Sequence, residues 1–176
     1  MSSVAKPDPL RLGFLATMEI PEQGFVGGLL VTSRHGRPLE FQCTAPVKPN
    51  RTQQILYGAT LGPFLMGELI GKTLLEKVGV KPHLVLTEQP EVLELRNHVA
   101  LPIACVEAAP SATEGDISAE PFKLGKQWIR FHGGHTEDHE SIRQQTKDIP
   151  GEADLREPFE RVREALQETI RSGALR

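Results

Sequence analysis

The chain predicts an α/β (or α+β) fold: one mixed β-sheet of about five or six strands with an N-terminal β-hairpin, helices packed on it, and a C-terminal amphipathic helix. Three stretches carry that prediction. In Gly24 to Lys48, the segment Phe25 to Thr32 is apolar and rich in β-formers and Ser33-Arg34-His35-Gly36 has turn composition. Leu39, Phe41 and Cys43 then alternate with Glu40, Gln42 and Thr44, which together spell a hairpin. From His83 to Val106 an aliphatic run, a short helical pattern behind Pro90 and a second aliphatic run read as strand, helix, strand. Near the end, Leu155, Phe159, Val162, Leu166 and Ile170 recur at the three- and four-residue spacing of one helix face.

Taken in order, residues 1–9 are expected to be a flexible arm and 10–176 a single domain. Leu10 to Ile20 reads as the first strand, ended by Pro21 and Gly24. In the hairpin, alternation assigns Leu39, Phe41 and Cys43 to the interior and Glu40, Gln42 and Thr44 to solvent. Asn50 caps a helix that begins at Arg51, Gly58 and Gly62 interrupt it, and Pro63 fits the first turn of the next, whose stop is Gly79. A helical stretch from 50 to 80 is long enough to cross a sheet face, whereas the 83–106 unit is so short that parallel and antiparallel pairing stand equal. Residues 107–126 change to Ala, Pro, Ser, Thr, Glu and Gly and read as a loop. Gln127 to His132 follows as a last edge strand, then a helix capped by Thr136 and running towards Lys147, then the final helix capped by Asp154.

Composition narrows the function classes. A chain of 176 residues with 39% hydrophobic and 24% charged residues suits one soluble globular domain, and no apolar run approaches the length of a membrane span. The N-terminal prolines replace the apolar core a secretory signal needs, so the chain is expected to be cytoplasmic, with its two cysteines free. A net charge of −3 with interspersed signs gives no global attraction to nucleic acid or anionic membrane.

Chemistry-bearing residues are densest at His132, His135, Asp138 and His139, where imidazoles and a carboxylate suit zinc or another divalent metal. Their spacing matches no paired-histidine hydrolase helix. Glu88, just after the strand at 83–87, is the candidate catalytic base because strand C-terminal ends are where α/β proteins place function. Lys48 and Arg51, at a helix start, are candidate phosphate contacts; Arg34, His35 and Arg37 form a second basic cluster, roughly 25–30 Å away along the intervening strand. No Gly-x-Ser-x-Gly elbow or phosphate loop is present. The expected function is a non-catalytic cytosolic binding or adaptor module acting on a protein partner or by self-association. It needs no cofactor, has no membrane partner, and nucleic acid is disfavoured. The alternatives are a metal-dependent hydrolase built on the His132/His135/His139 cluster, and phosphate or nucleic-acid binding through the local basic residues.

Overall fold

The structure is a computed structural model that describes residues 9–110 and 121–174, so nearly all of the expected arm and the middle of the 107–126 loop lie outside the described residues. Strands β1 (Arg11–Ile20), β2 (Gly24–Ser33), β3 (Pro38–Cys43), β4 (Leu84–Thr87), β5 (Ile103–Glu107), β6 (Phe122–Leu124) and β7 (Gln127–Phe131) form one seven-stranded mixed sheet in the order β3-β2-β1-β4-β5-β7-β6. β1, β2 and β3 run antiparallel as a meander, while β1, β4 and β5 are parallel, which resolves the pairing that the sequence left open. β7 returns antiparallel to β5 and carries β6 on its outer side. The expected last edge strand is therefore internal, and the edge is β6, three residues inside what reads as loop.

β1 lacks alternation because both of its faces are covered. Leu12, Phe14 and Ala16 join a core with Val26, Leu30, Leu84, Leu86, Ala104 and Ile129 on one side, and Leu15 joins Leu29, Val31, Val85 and Ile103 on the other. The first side is closed by helices α3 (Glu137–Gln145) and α4 (Glu157–Arg171), through Ile142, Phe159, Val162 and Leu166. The Phe159 ring meets Phe14 edge to face at 5.3 Å, so the predicted stripe of the last helix belongs to the core. The second side is closed by a π-helix, Pro63–Gly71, running into α2 (Lys72–Lys77), and by a 3₁₀ segment, Pro90–Asn97. Helices on both faces press close to β2: a Cβ at Gly27 would lie 2.2 Å from Ile70 Cγ2, and one at Gly28 would lie 3.1 Å from Leu166. Helix α1 (Arg51–Tyr57) buries none of its residues and leaves Ile55 and Leu56 exposed, its Tyr57 stacking on Phe64 at 4.2 Å.

Several local expectations meet different physics. In β3, Leu39 is exposed, while Thr44 beyond the strand is buried and accepts a hydrogen bond from Gly27 N. Glu40 is not turned to solvent alone: its carboxylate accepts from the N–H groups of Gly79 and Val80, tying the edge strand to the end of the helical crossover. Asn50 caps α1 as expected, Gln53 completing a capping box, but Thr136 makes no side-chain cap, and Asp154 accepts from Arg156 N ahead of a helix that starts at Glu157. β1 and β4 stop pairing at Thr87, and Gln89 prolongs the ladder by its side chain, its Oε1 accepting from Thr17 N at 2.9 Å and Thr17 Oγ1 at 3.1 Å.

Candidate functional site

The histidine-rich turn joins β7 to α3 and faces the end of the 3₁₀ segment. Asp138, buried at the start of α3, receives Arg96 Nε at 2.7 Å and Nη2 at 3.3 Å, and this bond, more than their mutual charge, raises the Arg96 pKa above its ordinary value. His139 turns the other way and packs edge-on between Phe122 at 5.0 Å and Phe131 at 5.9 Å. Only His132 and His135 meet, with ring centroids 5.3 Å apart. The Asn97 carboxamide lies between them, 3.2 Å from His132 Nε2 and 3.0 Å from His135 Nε2.

Gly134 N donates to His132 Nδ1 at 3.0 Å, and the Asn97 amide nitrogen stands against His132 Nε2. The Asn97 oxygen accepts from His135 Nε2, and His135 Nδ1 lies 3.5 Å from the Glu137 carboxylate. Every ring nitrogen is thereby engaged. Burial first, and the neighbouring His135 second, hold the His132 pKa below the ordinary imidazole value. The four candidate metal ligands do not converge, and among the described residues no group of three or more such side chains can hold a metal ion.

Glu88 is equally committed. Its Oε1 lies 2.8 Å from Arg163 and its Oε2 3.3 Å from Arg156, both on or beside α4, so it is not brought to the histidines. Lys48 Nζ donates to the Glu22 carbonyl and Arg51 to Gln54, at the far end of β3 from the Arg34, His35, Arg37 turn. Arg34 pairs with Asp148 at 3.6 Å, and the hollow of about 540 Å³ beside that turn is lined by Asp154 and Glu157 as well as Arg34 and Arg161. Both cysteines are free; burial pushes the Cys105 thiol up to about 11, which removes it as a nucleophile.

A different place assembles charge of one sign. Between β6 and the C-terminal half of α3 lies a hollow of about 450 Å³ lined by Phe122, Lys123, Leu124, Arg143, Thr146 and Lys147, among others, with no carboxylate among its lining residues. The Arg143 guanidinium stands 5.7 Å from the Phe122 ring, and its nearest acid, Glu140, is 3.9 Å away with both side chains at least half exposed, a pair that solvent largely screens. Lys123 continues this charge around the sheet edge, its Nζ reaching 5.9 Å from the ring of Trp128, its cross-strand partner on β7. No motif in the sequence signals this grouping, because its members sit in a three-residue strand, a helix and the residues after it.

No family model matches the chain, and no curated protein sequence matches it. Among solved structures it is similar to Endonuclease V. The Ciona intestinalis protein, in complex with a 23mer DNA containing an inosine followed by a ribo-adenosine, is 12% identical, with 92% of this chain and 87% of that chain covered and a TM-score of 0.47. Human Endonuclease V is 13% identical, with 92% and 86% covered and a TM-score of 0.46. Two expectations are corrected by these neighbours: they are nucleases and not adaptors, and one of them holds DNA. The non-catalytic adaptor acting on a protein partner or by self-association, and the disfavouring of nucleic acid, are set aside beside these neighbours and not carried forward. A likeness of this degree concerns the path of the chain, and no residue here takes a role from it.

Proposed function

We propose that the protein binds nucleic acid by its sugar-phosphate backbone, seated in the hollow between β6 and α3 and held by Lys123, Arg143 and Lys147. One observation supports this reading above the others: in a chain of net charge −3, this hollow has Arg143 and Lys147 and no carboxylate among its lining residues, and Lys123 adds a third cation at its sheet-edge rim. Phosphate oxygens are acceptors that such side chains meet without regard to base sequence, so binding is expected to be sequence-tolerant and governed by counterion release. The hollow at the other basic turn lacks this character because Asp154, Glu157 and Asp148 offset its arginines. The cytoplasm is the compartment we assign, on the strength of two unpaired cysteines.

The test is fluorescence anisotropy of a labelled oligonucleotide as a function of salt. Three phosphate contacts predict a log–log slope of about −2 for a single strand. The triple change Lys123→Gln, Arg143→Gln, Lys147→Gln should remove most of the affinity and flatten that slope while leaving the melting temperature nearly unchanged, since all three side chains are exposed. Affinity that ignores salt, or a triple variant that binds like the parent, would sink the reading.

A further inference from the structure

Trp128 is the chain's one tryptophan, and its position on the sheet is unusual for a residue of that size. Along β7, Ile129 and Phe131 turn to the core beneath α3 and α4, which by the two-residue period sends Trp128 and Arg130 to the opposite face. On that face the π-helix, α2 and the 3₁₀ segment cover the sheet as far as β5 through Ile70, Leu74, Val92, Leu93 and Leu95. Among the described residues, no side chain of β6 or β7 belongs to the apolar core on that face. The indole is half-buried against its own strand neighbours, with Lys123 on its outer side and Glu107, paired to Arg130 at 2.8 Å, on its inner side.

We propose that Trp128 is a stacking platform for a nucleobase, so that the nucleic acid bound at this corner is single-stranded; this deepens the backbone-binding reading and rests on it. Three features of the corner meet in that assignment. The indole stands on a rigid strand, and the group over its ring is the flexible Lys123 side chain, which a base can displace. Lys123 brings an ammonium within 6 Å of the ring, so a base stacked there carries its phosphate towards a cation. And Lys123 is also a lining residue of the hollow, so one strand can run from the indole over the sheet edge onto Arg143 and Lys147 without leaving positive charge. A duplex offers no free base face to the indole, whereas an unstacked single strand offers one at every nucleotide. Because all four bases have such a face, the platform adds affinity without adding sequence preference.

The single tryptophan makes the experiment direct. Unlabelled oligothymidylate and the matching thymidylate–adenylate duplex are titrated into the intact protein while indole emission is followed. Anisotropy of labelled versions of both reports binding independently. The expected result is saturable quenching by the single strand and none by the duplex, with Trp128→Leu weakening single-strand binding roughly 5- to 150-fold at an unchanged salt slope and Trp128→Phe recovering part of the loss. Salt-dependent anisotropy with no change in emission overturns the stacking platform and leaves the backbone-binding reading intact. No binding by anisotropy at low salt overturns both. The emission signal comes from the unaltered chain, so it discriminates these outcomes whether or not either variant folds.

Discussion

The two ends of α3 differ in a way that explains which part of this molecule is available for chemistry. Its N-terminal end meets the turn at 132–139, where histidines, acids and an arginine crowd together and consume one another: Asp138 takes Arg96, Asn97 bridges His132 and His135, and His139 lies between two phenylalanines. Its C-terminal end faces β6, where the charged residues lining the hollow are fewer and all of one sign. Reactive residue types that are close in sequence have partners within reach and become structure. Like charges brought together from separate elements keep only a screened partner, Glu140 beside Arg143, and are left for a ligand.

That contrast breaks most readily at Asp138. If the turn is structural, Asp138→Ala leaves the Arg96 side chain, 13% exposed, without its main counter-charge, and chemical denaturation should show a loss of about 3–5 kcal/mol. Unchanged stability would mean that the pair is dispensable and the turn is free to serve something else. Asn97→Ala is the milder case: Asn97 is exposed, and removing its amide should cost about 0.5–1.5 kcal/mol while leaving oligonucleotide affinity as it was. A large drop in affinity would join the two ends of α3 into one site.

The smallest effect is in pH. His132 is depressed by burial and by His135, with Arg96 adding to the depression and Glu94 and Asp138 opposing it. The unfolded chain takes up a proton near pH 6.5 that the folded turn resists, so this contribution is complete above that pH and is lost as pH falls through the window beneath it. Glu40, lowered by Gln42 and by the Val80 and Gly79 amides, follows the same sign in a lower window, beginning below its ordinary value of 4.5. Thermal melts from pH 8 to 4 should therefore show His132→Gln abolishing the upper decline and sparing the lower one.

Much of the scaffold is legible in the residues. The turn at Ser33 to Gly36, the Asn50 cap and the buried stripe of α4 each depend on contacts within a few residues or on one period, and each is where the pattern places it. Errors arise where distant partners decide. Glu40 looks like a solvent-facing strand residue until Gly79 and Val80 arrive, and Phe122 to Leu124 looks like loop because the strand that pairs with it comes later in the chain. The candidate site was hidden for the same reason. Lys123, Trp128, Arg143 and Lys147 carry no shared motif, and only the antiparallel return of β7 and the packing of α3 make them neighbours.

The outer position of β6 has one more effect. An edge strand with unpaired backbone groups invites another chain to extend the sheet, and native proteins blunt such borders by keeping them short and planting lysine in them. β6 has three residues with a lysine at its centre. The residue that gathers positive potential at this corner thus also acts as a gatekeeper against strand-to-strand polymerisation, and replacing it with a β-branched apolar residue would trade solubility for a sticky border.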